Sequence, residues 1–68
     1  MFYVILVRGE HSPCDSLYPA YTLDRAMRYA KYQRKSYYAV VFDSNGQKIF
    51  EHGTPVSWEI KLKDYVNL

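Results

Sequence analysis

Residues 2–9 read FYVILVRG, six apolar side chains followed by an arginine and a glycine. The run is too short to cross a bilayer, for which a helix needs about 20 apolar residues. No basic segment precedes it, as one would in a secretory leader. Val4, Ile5 and Val7 branch at Cβ, and Phe2 and Tyr3 are aromatic. These side chains suit a pleated backbone, and the lack of polar alternation predicts a strand over 2–8 that is buried on both faces.

Gly9, Pro13 and Pro19 punctuate the next segment, so residues 9–21 are expected to form an irregular connection. A connection of that length in so small a domain is either functional or pinned by its own aromatics, here Tyr18 and Tyr21. The stretch TLDRAMRYAKYQRK, residues 22–35, then reads as a helix. Thr22 can cap its start, Asp24 suits the positive end of the helix dipole, and Lys31, Arg34 and Lys35 suit the negative end. At about 100° per residue, Leu23, Ala26, Met27 and Ala30 gather on one side, and Arg25, Arg28, Tyr32 and Lys35 fall opposite them. Tyr29 and Lys31 flank this outer face, and Arg34 projects near the inner one.

YYAVVFDSNGQKIFEHG, residues 37–53, reads as a hairpin, since Asn45-Gly46 can supply the two positive φ values of a type I′ turn. Counting outward places Asp43 opposite Lys48 and Phe42 opposite Ile49. After Gly53 and Pro55, VSWEIKLK alternates, with Val56, Trp58, Ile60 and Leu62 on one side and Ser57, Glu59, Lys61 and Lys63 on the other. That pattern predicts a half-buried edge strand with lysines outward. The expected fold is α+β, one domain over 1–68 in the order β-α-β-β-β. It is a mixed four-stranded sheet, its first two strands forming a parallel unit around the helix, with the amphipathic helix packed on one face. One helix cannot cover both faces, so the second face is expected to be open to water or to another chain, a homodimer included.

At 68 residues a core contributes only about 3–5 kcal/mol, so association with a partner is a useful source of further burial. A single cysteine, Cys14, rules out an internal disulfide and points to a reducing compartment, the cytoplasm. His11, Cys14, Asp15 and His52 are the residues from which a metal site or thiolate pair could be assembled. One Cys and two His without paired spacing are more often unrelated, so no metal or cofactor is expected. The three glycines stand apart, so no phosphate-binding or nucleophile-elbow pattern exists, and no two carboxylates converge. Catalysis is not expected.

Charge is the feature that stands out. The net charge is only +2, yet residues 22–35 carry five basic side chains against one acidic, leaving four basic and six acidic elsewhere. Eight tyrosines against three phenylalanines add large rigid contact area with a polar end. Arg25, Arg28, Tyr29, Lys31, Tyr32 and Lys35 are therefore the candidate binding residues, weighed against a merely solvated basic face. Arg beside Tyr is a mixture favoured at protein interfaces, so the face fits an acidic patch on a larger protein or nucleoprotein complex. The alternative is a small nucleic-acid binder, with basic groups on phosphates and a ring on an unpaired base. No membrane partner is expected.

The opening strand FYVILV, the helix TLDRAMRYAKYQRK and the segment FDSNGQKIFEHGTPVSWEI, with its Asn-Gly turn and Trp-bearing strand, together resemble small phage-encoded proteins that inhibit host systems, including some anti-CRISPR inhibitors. The likeness is one of size and element order. It implies stoichiometric action, by occupying a surface on a host protein or complex rather than by turnover.

Overall fold

The computed structural model describes residues 1–9 and 15–66, and of Asp15 only the backbone. Four strands and one helix follow in the order β1 (Phe2–Val7), β2 (Asp15–Ala20), α1 (Leu23–Tyr32), β3 (Tyr38–Phe42) and β4 (Lys48–Gly53), with a final 3-10 turn at Leu62–Asp64. The sheet order is β2-β1-β3-β4 and every neighbouring pair is antiparallel. The fold is thus the expected α+β class, a four-stranded sheet with one helix packed on it, but the elements run β-β-α-β-β rather than β-α-β-β-β and the sheet is antiparallel throughout rather than mixed.

The difference begins at residues 15–20, expected to be irregular. DSLYPA is a strand, pairing Val4 with Tyr18 and Ile5 with Leu17. Pro19 lacks an N–H, which bars it from a central strand but not from an edge one, and β2 lies at the edge. Inserting β2 reverses the chain once before the helix. β3 therefore runs antiparallel to β1, and the crossover through α1 joins β2 to β3, two parallel strands with β1 between them.

Both faces of β1 are buried, as FYVILV predicts. Val4 and Leu6 meet the helix through Ala26 and Ala30, beside Ala39 and Val41 of β3. The alanines let the helix axis approach the sheet closely, while Phe2, Tyr29, Tyr37 and Phe50 pack around them, partly buried. Ile5 and Val7 face the other way with Tyr38, Val40 and Phe42. That face is not open, because residues 56–66 lie across it and bury Ile60 and Leu62 there. The segment VSWEIKLK forms no strand. Alternation reports an extended chain with one side buried, and a sheet face can satisfy that pattern as well as a sheet edge can.

The helix starts where expected, with the Thr22 hydroxyl accepting from the Arg25 N–H at 3.2 Å. It ends at Tyr32 rather than 35, because Gln33 adopts an extended ψ of 158° to turn the chain towards β3. The hairpin turn also differs from expectation. Gly46 has a φ of +83°, and no described non-glycine residue has a positive φ, so Asn45 cannot take the first position of a type I′ turn. The Gly46 N–H donates to the Asp43 carbonyl at 3.1 Å, and the Asp43 carboxylate accepts from the N–H groups of Asn45 and Gln47, each at 2.9 Å. This is a tight turn closed by a left-handed glycine. The extra residue, Ile49, bulges out and shifts the register only beside the turn, so Phe42 opposes Lys48 in place of the expected Asp43–Lys48 and Phe42–Ile49 pairs, while from Val41–Phe50 outward the strands keep the register counted from Asn45-Gly46.

Gly53 closes the opposite end of this hairpin at a φ of +96°, where a Cβ would stand 1.8 Å from the Tyr37 carbonyl oxygen. That carbonyl accepts from the Thr54 N–H at 3.1 Å and cannot swing aside freely. Gly53→Ala is therefore expected to cost roughly 2 kcal/mol or more, from backbone strain and the clash together. A thermal midpoint equal to the parent's would refute this account of the junction.

Candidate functional site

The helix presents its basic side chains on three surfaces rather than one. Arg25, Arg28 and Tyr32 lie at positions i, i+3 and i+7 and share the exposed stripe. Tyr32 is 89% exposed, the most exposed large apolar side chain among the described residues. Arg28 pairs with Asp24 at 3.1 Å, one turn earlier, with both side chains mostly in water. Such a pair contributes little, about 0.3–0.5 kcal/mol on a helix, and leaves Arg28 able to exchange its partner.

Two candidates sit on the flanks. Lys31 places its ammonium 5.5 Å from the centre of the Phe50 ring on β4. Tyr29 goes the other way, stacking on Tyr18 of β2 with ring centres 4.1 Å apart and planes 6° from parallel. Its carbonyl also accepts from the Gln33 side-chain amide at 3.0 Å. Tyr29 is thus part of the packing between helix and edge strand, not of the outer stripe. The buried side of the helix is correspondingly turned towards Tyr29 and away from Leu23, which is 40% exposed, while Met27 is only half-buried. Lys35 lies beyond the helix end, exposed, with its carbonyl held by the Thr54 hydroxyl at 2.8 Å.

His11 and Cys14 lie outside the described residues, as does the Asp15 side chain. His52 is half-buried on β4. Among the described residues no three of His, Cys, Asp and Glu gather as metal ligands. No helix among them is long and apolar enough to cross a membrane.

A second surface went unseen in the sequence. Between residues 56–63 and the β3–β4 hairpin runs a groove of about 510 Å³, bordered by Trp58 and three lysines. Trp58 was expected to face the core beside Ile60 and Leu62, but its indole is 43% exposed. The signal available was the isolation of the only tryptophan among Ser57, Glu59, Lys61 and Lys63. Of the residues lining the groove, Tyr38 donates from its hydroxyl to the carboxylate of Glu51, which is outside the lining and also faces Lys48 at 3.4 Å. Burial, then the bond to Glu51 and its charge, push the Tyr38 phenol from 10 up to about 12. The same bond, helped by Lys48, holds the Glu51 carboxyl below its usual range.

The chain matches no protein-family model, no curated protein and no solved structure to which it was compared.

Two outcomes follow from these contacts. Tyr29→Ala removes a stacked ring and is expected to cost about 1–3 kcal/mol, whereas Tyr32→Ala should stay within about 0.5 kcal/mol. Equal melting temperatures for the two variants would contradict the division of the helix into flank and stripe. The Tyr38–Glu51 bond links stability to pH at both ends. Tyr38 has a raised folded pKa, so its contribution is complete below pH 10 and is lost as pH rises towards about 12. Glu51 has a lowered one, so its contribution is complete above the usual carboxylate range and is lost in acid. Denaturant titrations across pH should show the gap between parent and Tyr38→Phe narrowing in both directions from neutrality.

Proposed function

We propose that the protein is a small non-catalytic binding module that acts by stoichiometric contact with an acidic surface of a larger protein or nucleoprotein complex. Its contact surface is the outer stripe of α1, Arg25, Arg28 and Tyr32, extended by Lys35 at the helix end and by Lys31 on one flank. The observation that carries this reading is Tyr32, whose ring stands 89% exposed between cationic side chains and contributes nothing to the core. A rigid ring beside exchangeable guanidinium groups is the composition that interface hot spots favour.

The finer reading is that occupying the surface inhibits the partner within the cytoplasm, in the manner of the phage-encoded inhibitors that the chain resembles in size, opening strand, single helix and hairpin. The Trp-bearing segment, being no strand, drops out of that likeness. Direct binding of nucleic acid by the same stripe is the competing reading, and salt separates the two, because binding driven by phosphate contacts weakens steeply with ionic strength.

The test compares the parent with Arg28→Glu combined with Tyr32→Ala, both exposed positions. The immobilised parent should retain a protein from host lysate at about equal stoichiometry. The double variant should bind that species at least about tenfold more weakly while keeping its circular dichroism and melting temperature. Undiminished binding by the double variant would remove the helix stripe from consideration. Tight, salt-sensitive binding of generic DNA or RNA by the parent would replace the protein partner with a nucleic acid.

A further inference from the structure

The groove on the far side of the sheet from the helix has the properties of a small-ligand site. Its volume, about 510 Å³, lies within the range of about 300–1,000 Å³ typical of such sites. The floor is apolar and firm, since Val40, Phe42, Ile60 and Leu62 are all buried and packed together. Along one wall stands Trp58, a large flat side chain that the core leaves 43% exposed. An indole partly out of the core and facing a groove offers a surface on which another ring can stack.

The rim is cationic. Lys48, Lys61 and Lys63 border the groove, against Glu59 alone among the carboxylates. Lys61 reaches Glu59 only at 3.9 Å, and Lys48 reaches Glu51 at 3.4 Å, with all four side chains about half-exposed or more. Pairs of that length and exposure contribute little and are readily exchanged for a ligand. Glu51 is moreover already engaged by the Tyr38 hydroxyl. Lys63 has no ion pair among the described residues.

We infer that this groove binds a small organic anion with a flat aromatic body, its ring against Trp58 and its carboxylate, sulfonate or similar head between Lys61 and Lys63. The apolar floor removes the ring from water, and the lysines select the charge, so neither a neutral nor a cationic molecule of the same shape satisfies both. The site lies across the sheet from α1, and the inference stands apart from the proposal for the basic helix.

The chain supplies its own reporter, because Trp58 is its one tryptophan. Excitation transfer from Trp58 to a naphthalene dye therefore reads binding to the chain, and substitution of the rim lysines assigns that binding to this groove. Two probes isolate the charge: 8-anilinonaphthalene-1-sulfonate, and N-phenyl-1-naphthylamine, which has the same rings without the sulfonate. On protein whose near-ultraviolet circular dichroism shows packed tertiary structure, the sulfonate should bind saturably at one site. It should bind at least about tenfold more tightly than the neutral probe. Lys61→Glu with Lys63→Glu, both at exposed positions, should lower the sulfonate affinity by about tenfold or more and leave the neutral probe within about twofold. Lys61→Gln with Lys63→Gln repeats the test at lower cost to the fold. Absence of saturable transfer, equal affinity for the two probes, or undiminished sulfonate binding by the lysine variants would each overturn the inference.

Discussion

Burial of β1 on both faces is the constraint around which this small fold is arranged. Val4, Ile5, Leu6 and Val7 are each at most 3% exposed. A strand in that position requires hydrogen-bonding neighbours on both edges and apolar cover on both faces. β2 and β3 meet the first need, and α1 and residues 56–66 the second. Every other element is placed by one of those demands. Even β4, which does not pair with β1, extends β3 and carries the Phe50 ring over which Lys31 lies.

The two covers differ in kind, and the difference shapes the exterior. The helix approaches through alanines, which lets it lie close to the sheet and leaves the larger side chains to seal its sides. Tyr29 seals one side against Tyr18, and Lys31 reaches towards Phe50 on the other. With both flanks occupied, the stripe of Arg25, Arg28 and Tyr32 is left to the solvent. The carboxy-terminal segment has no helix or ladder of its own across most of its length. It is held by Ile60 and Leu62, and Trp58 is left beside a groove rather than in the core. One cover thus yields a convex basic surface and the other a concave apolar one rimmed with lysine.

The Tyr38–Glu51 bond joins these arrangements. Tyr38 packs in the cluster beneath the carboxy-terminal segment, and its hydroxyl finds the carboxylate two residues along the neighbouring strand from its own partner, Gly53. Satisfying a buried phenol in this way avoids the cost of an unpaired polar group, about 1–3 kcal/mol. Among the described residues no buried side-chain polar atom lacks a partner.

What the sequence determined by itself was local. FYVILV implied a doubly buried strand because no residue in it tolerates water well, Thr22 marked the helix start because its hydroxyl can accept from a free N–H, and Asn45-Gly46 marked a reversal because glycine admits positive φ. Arg25, Arg28 and Tyr32 were legible as one stripe from helical periodicity alone. The tertiary structure decided whatever depended on a distant partner. DSLYPA is a strand only because the edge of β1 is vacant beside it, and its proline disguised it. Tyr29 lies inward only because β2 supplies Tyr18, and VSWEIKLK forms no ladder because Ile60 and Leu62 are used on a sheet face. Periodicity records which side of a segment avoids water, but not what covers that side, and this distinction separated the legible helix stripe from the unseen groove.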